Sequence, residues 1–322
     1  MSLLNPLYAA AARMLAPPGP GARLSILIYH RVLGETDPLF PSEPTTATFD
    51  AQMTALKSVF NVLPLPEAIA RLKTGTLPAR AACITFDDGY ADNYTLALPI
   101  LQRHGLHATF FIATAYLNGG RMFNDTVIEA IRRAKSEQID LQDLGLGRHD
   151  VTTPEARARA IGHILPIVKY LPLGQREETV AALAEKVTNA ALPTDLMMTA
   201  AQLQALHGAG MEIGGHTDRH PILANLDESE TRAEIQAGKD RLETALNTRV
   251  RVFAYPNGRP GTDYRSEQAR IVESLGLEGA VSTQWGVSTR QTDPYQLARF
   301  TPGWGGMARF APMLVNNLRN PV

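Results

Sequence analysis

Short apolar runs separated by helix-patterned stretches recur along this chain, and that alternation constrains the fold more than any other feature. "LSILIYH" (24–30), "FNVLPL" (60–65), "AACITF" (81–86), "ATFFIA" (108–113), "MEIGG" (211–215), "RVFAY" (251–255) and "GAVST" (279–283) each read as a buried strand. Between them, "NYTLALPILQRHG" (93–105) sets apolar residues three and four apart before a glycine stop. "DESETRAEIQAGKDRLETAL" (227–246) offers Asp227 as a helix cap with Glu230 three residues on, and "DYRSEQARIVESLG" (263–276) is a third helical pattern. Strand followed by helix, about seven times over, indicates an α/β chain with a parallel sheet and helices outside it. Its polar motifs fall at the ends of several different strands. That favours closure into a distorted (β/α)7-type barrel over an open sheet.

One stretch breaks the rhythm. Residues about 121–205 hold "NDTVIEAIRRAK", "TPEARARAIGHILPIVKYL" and "GQREETVAALAEKV", three helical patterns with no convincing strand. The expectation is an all-helical insertion flanking the substrate groove, within a single domain over 1–322 whose barrel runs from about 24 to 303. A formal net charge of -1 argues against general nucleic-acid binding, since no excess basic field exists to neutralise phosphates. The single cysteine, Cys83, excludes an internal disulfide framework and a thiolate metal cluster. The N-terminal "MSLLNPLYAAAARMLAPPGPG" lacks a basic start and is interrupted by Arg13. It reads as a short helix ending at Pro17-Pro18 rather than a membrane span or secretory signal, so a cytoplasmic location is expected.

"TFDDGY" (85–90) places two adjacent carboxylates, Asp87 and Asp88, where a strand stops. Neighbouring carboxylates repel each other, and a divalent cation resolves that repulsion if one aspartate binds it and the other stays free to accept a proton. An Asp-Gly turn beside a helix cap is the competing reading. "GGHTDRHP" (214–221) sets His216 and His220 four residues apart just after another strand. Two imidazoles at that spacing converge on one cation if the loop curls. His, His and Asp with positions open to water make a hydrolytic metal site, against the alternative of two solvated histidines.

Together these motifs resemble the polysaccharide deacetylases, carbohydrate esterase family 4 (the NodB-homology domain). The family's T-F-D-D-G is matched by Thr85 to Gly89, and its H-[ST]-x-x-H by His216, Thr217 and His220. The resemblance implies that Asp88, His216 and His220 bind a divalent metal, zinc above all but with Ni2+, Co2+ or Mn2+ also suited. It implies that Asp87 is the general base. In the family's R-x-P-[YF]-G motif this chain departs: "FAYPNG" keeps Pro256 and Gly258, while Ala254 and Asn257 occupy the arginine and aromatic positions. The family uses the backbone N–H of the latter position for the oxyanion, which Asn257 still supplies. Arg299, in "QLARF" (296–300), is the candidate partner for Asp87 in place of the missing arginine; a purely structural arginine is the alternative.

Many members of that family place an acid histidine near the C-terminal end of the domain, whereas no histidine follows His220 here, so the resemblance implies that the acid for the leaving amine lies elsewhere. "ILIYHRV" puts His30 at the end of the first strand, which resembles the placement in deacetylases of biofilm poly-N-acetylglucosamine, and His30 is the expected acid, with a structural histidine as the alternative. Tyr29, Tyr90, Trp285 and Trp304 are candidates to stack on a sugar or line a pocket for the acetyl methyl, with core packing as the alternative for each, and Pro256 is a further candidate to contact substrate. The expected activity is metal-dependent removal of N-acetyl groups from N-acetylhexosamine units of a glycan. The competing functions are an O-acetyl esterase and a glycan-binding pseudo-enzyme, the latter motivated by the missing motif arginine.

Overall fold

Each of the seven apolar runs contributes a strand to one parallel sheet. In chain order the strands are β1 (Leu24–Tyr29), β2 (Asn61–Val62), β3 (Ala81–Phe86), β4 (Thr109–Ile112), β5 (Gln138–Leu141), β6 (Gly147–Asp150), β7 (Glu212–Gly215), β8 (Val252–Ala254) and β9 (Gly279–Val281). The computed structural model describes residues 5–302 and 307–322; Trp304 lies outside the described residues. The sheet runs β1-β3-β4-β7-β8-β9, with β2 beside the start of β3, and every pairing within it is parallel.

The curl of this sheet is closed by an irregular segment, Leu297–Phe300. Leu297 bridges Val281 of β9 and Phe300 bridges Leu27 of β1, both in parallel. Its backbone donates from Leu297 N to Ala280 O (2.9 Å) and from Phe300 N to Ile26 O (3.0 Å). The result is a distorted (β/α) barrel, and Arg299 lies between the two bridges.

Strand residues alternate between two faces. Leu27, Tyr29, Ile84, Phe86, Phe110 and Phe253 join the core shared with the outer helices. Leu24, Ile26, Ala81, Cys83, Phe111, Val252, Ala254, Val281 and Leu297 form a separate core with residues of helix Leu65–Thr74. Continuing this second set by steps of two leads from Leu24 and Ile26 to His30, from Cys83 through Thr85 to Asp87, and from Leu297 to Arg299. Gly214 pairs with Phe111 across the sheet, and two residues on is His216. Any side chain at Gly214 would meet the Phe111 ring at 2.4 Å, so glycine lets Phe111 fill this face. The polar residues of interest share one face because the period of a strand is two.

Local sequence accounts for the helices. Asp227 accepts from Glu230 N (2.8 Å) and Glu230 accepts from Asp227 N (3.0 Å), a capping box that starts helix Glu228–Leu246. The segment expected as one helix over 93–105 instead begins as a π-turn over Asn93–Ala97 before α-helix Leu98–His104. Pro99 has no N–H for the carbonyl four residues earlier, and the widened turn accommodates that loss. Helix Asn5–Leu15 precedes the barrel and buries Ala12. No helix among the described residues is long and apolar enough to cross a membrane.

The insertion contains the three expected helices, Phe123–Arg132, Pro154–Lys169 and Leu173–Val187, around their own apolar core that includes Val127, Ile131, Ile161, Ile164 and Leu183. The expectation that it is wholly helical needs correction. β5 and β6 form an antiparallel hairpin within it. Only Ile139 and Leu141 of β5 are buried, on alternate positions, which is too short an apolar pattern to stand out in a polar stretch.

Phe86 and Phe110 stack at 4.8 Å between ring centroids, both fully buried. Phe110→Ala is expected to lower unfolding stability by about 3–5 kcal/mol, measured by denaturant titration.

Candidate functional site

β3 ends at Phe86, and the chain turns sharply through Asp87, Asp88 and Gly89. Asp88 has φ of +76° and Gly89 of +93°. Positive φ also marks Thr217 (+62°), His220 (+54°) and Asn257 (+58°). Non-glycine residues rarely adopt this conformation, and its concentration on three loops at one end of the barrel marks a strained, organised site.

The HTDRH loop curls after β7. His216 N donates to Ile112 O (3.2 Å), and His220 N donates to Thr217 Oγ1 (3.0 Å). Their Nε2 atoms lie 3.1 Å apart, and Asp88 Oδ1 lies 3.5 Å from each. His216 Nδ1 sits 2.7 Å from Ala254 O, so Nδ1 carries the proton and the Nε2 lone pair points to the centre of the triangle. Three buried ligand atoms, all mutually within 4.8 Å, form a donor set suited to one divalent cation. Burial disfavours a charged His220 and its pKa falls to about 3, with His216 adding repulsion. Neutral imidazole is the form that ligates. Burial alone would raise the Asp88 carboxyl, but the adjoining His216 and His220 rings hold it well below the usual carboxylate range.

Asp87 stands outside that triangle. Its Oδ1 and Oδ2 accept from Arg299 Nη1 (2.6 Å) and Nη2 (2.8 Å) in a bidentate pair. Arg299 also donates from Nε to Ser282 O (2.9 Å) and from Nη1 to Thr85 Oγ1 (3.2 Å). The two residues are 3% and 1% exposed, so the pair is fully buried. Burial would push the Asp87 carboxyl up; the Arg299 charge outweighs this and holds it low.

Both carboxylates, both imidazoles, His30 and Asn257 line one cavity of about 490 Å3. The Asn257 N–H has no partner among the described residues, and its carbonyl accepts from Thr283 Oγ1 (2.8 Å). The insertion supplies the facing wall through Phe123, Asn124, Leu165, Pro166, Lys169 and Tyr170.

The sequence model of the polysaccharide deacetylase family matches residues 74–159 and 166–280. The chain belongs to the polysaccharide deacetylase family. It is therefore a deacetylase hydrolase, with a glycan as its class of substrate. YxkH of Bacillus subtilis (strain 168), placed by its name among the polysaccharide deacetylases, is 23% identical over 291 residues, which cover 89% of this chain and 75% of YxkH. Among solved structures, the Streptococcus pyogenes deacetylase PplD in complex with acetate superposes with a TM-score of 0.61 at 19% identity, covering 92% of this chain and 98% of PplD. IcaB from Ammonifex degensii gives a TM-score of 0.58 at 17% identity, covering 93% and 98%. At these identities the structural likeness establishes the shared barrel.

Within this deacetylase, other expected residues are placed differently. Tyr90 is buried, donates its hydroxyl to Asp125 Oδ1 (3.0 Å), and lies under Arg31 at 4.7 Å. It lines an adjoining cavity of about 240 Å3 instead of the main one. Pro256 is buried outside the main cavity lining, and Trp285, 49% exposed, packs edge-on to Phe300 at 5.6 Å. Sequence reading missed the insertion residues of the cavity wall, the Arg31–Asp92 ion pair (2.7 Å) beside it, and Asp125. Asp125 precedes a valine-isoleucine stretch in a helical pattern, where an acidic residue reads as an ordinary first-turn charge.

Asp125 is buried with one oxygen unpartnered, and burial pushes its carboxyl up to about 7, with the Asp88 charge adding to the effect. The native chain thus holds a proton that the unfolded chain releases near pH 4, so this residue's contribution to stability falls as pH rises from about 4 through about 7. In chelator-treated protein, Asp125→Asn is expected to remove that dependence. The variant gains stability relative to wild type between pH 5 and pH 8, read by denaturant unfolding at both.

Proposed function

We propose that this chain is a single catalytic domain that hydrolyses N-acetyl groups from N-acetylhexosamine units of a polysaccharide or oligosaccharide. The cation is divalent and held by Asp88, His216 and His220; zinc suits two imidazoles and a carboxylate best, with nickel, cobalt or manganese as substitutes. The observation that carries this reading is the division between adjacent carboxylates. Asp88 faces two imidazole Nε2 atoms, while Asp87 is tied to Arg299.

A divalent cation at such a site supplies Lewis acidity and eases the ionisation of water. Asp87, kept anionic by Arg299, accepts the proton of the water that attacks the acetyl carbonyl. The free N–H of Asn257 donates to the oxyanion that develops on that carbonyl. His30, on the same cavity, gives its proton to the nitrogen as the C–N bond breaks, so acetate and a free sugar amine leave. Phe123 and Tyr170 offer apolar ring faces to the sugar, Tyr90 lines the adjoining cavity, and Pro256 shapes the Asn257 turn. Trp285 is positioned to meet only sugar units outside the cavity.

Purified protein is expected to release acetate from N-acetylglucosamine oligomers, to lose that activity to a chelator and to regain it with zinc. His30→Ala should slow amide turnover much more than turnover of an O-acetylated glycan, because an alkoxide leaving group makes weaker demands on an acid. Chelator-insensitive release would overturn the metal assignment. Release from O-acetyl glycans alone would reassign the enzyme as an esterase.

A further inference from the structure

Arg176 is the first-turn arginine of insertion helix Leu173–Val187, and its environment is unusual for a cation. It is 2% exposed, pairs with no carboxylate among the described residues, and leaves its Nε without a partner. The positive end of its own helix also disfavours it. A buried, unpaired guanidinium is costly, so its contacts should account for its presence.

Those contacts are with the HTDRH loop. Arg176 Nη1 and Nη2 both donate to His220 O at 3.3 Å, and Nη2 also donates to Arg219 O at 3.3 Å. The guanidinium also lies over the Phe123 ring at 4.5 Å, and Phe123 lines the catalytic cavity. The other carbonyls of the loop are held by the barrel side. Thr217 O accepts from Thr114 N (3.4 Å), Asp218 O from Ala115 N (3.0 Å), and Arg219 O also from the Tyr116 hydroxyl (2.9 Å). Helix Glu228–Leu246 presses on the loop from a second side, where a Cβ at Gly238 would meet Thr217 O at 2.6 Å. Among the described residues, only the His220 carbonyl depends wholly on Arg176. That carbonyl belongs to a residue at φ of +54°, whose ring is aimed at Asp88 and His216.

We infer that Arg176 is a positioning residue for the cation site, through which the insertion fixes the His220 backbone and so sets metal affinity. This rests on the cation assignment to Asp88, His216 and His220. Without the guanidinium, His220 O is buried and unpaired, and the loop relaxes away from its strained conformation. The Nε2 triangle then widens.

The test uses the full chain, stripped of metal, and measures zinc affinity by competition with a chromophoric chelator and the visible absorption spectrum of the cobalt(II) form. Arg176→Met is expected to weaken zinc binding by about 10–100-fold, the usual effect of losing a partner that orients a ligand, and to alter the cobalt spectrum. Arg176→Lys, which keeps the charge but loses the fork, should fall between Met and wild type and guards against a Met variant that fails to fold. Unchanged zinc affinity and cobalt spectrum in the Lys and Met variants, with only a lowered melting temperature, would overturn the inference and leave Arg176 as packing. If the wild-type chain bound no zinc, the cation assignment itself would fall first, and this inference with it.

Discussion

The buried ion pair between Asp87 and Arg299 is the interaction on which both barrel and site depend. Removing either partner would leave an uncompensated charge in the interior, at a cost of about 3–5 kcal/mol. Bidentate geometry and the further bonds to Ser282 O and Thr85 Oγ1 satisfy the guanidinium without solvent. Arg299 lies in the irregular segment that bridges β9 to β1, so the pair also ties the closing segment to the end of β3. A single contact thereby links the segment that closes the sheet to the ionisation of the candidate base.

Strand periodicity explains why the remaining groups meet. His30, Asp87, His216 and Arg299 each continue the inward-facing set of their own strand or closing segment, so a curled parallel sheet delivers them to one mouth without further instruction. What the sheet cannot do is turn two imidazoles onto one point. That falls to the strained HTDRH loop, which is held from three sides by the turn after β4, by helix Glu228–Leu246 and by the insertion.

The parallel strands were legible because their apolar runs are continuous, and the family was legible because "TFDDG" and "HTDRH" carry chemistry at fixed spacing. Arg299 could be named as a candidate from the empty arginine position at Ala254, yet its geometry could not, since it reaches Asp87 from 212 residues away. The β5–β6 hairpin was hidden because two alternating apolar residues make no pattern. The cavity wall formed by Phe123, Lys169 and Tyr170 was hidden for a different reason. These residues lie on amphipathic helices, where periodicity separates core from surface but says nothing about which surface faces a substrate. Arg176 was invisible for the same reason, as a first-turn arginine reads as solvent-exposed.

The central claim is the division of labour between two adjacent aspartates, and zinc stoichiometry measured beside acetate release on Asp87→Asn and Asp88→Asn tests it most directly. The account expects Asp87→Asn to bind one equivalent of zinc and release no acetate, and Asp88→Asn to lose both. Zinc retained by Asp88→Asn and lost from Asp87→Asn would contradict it.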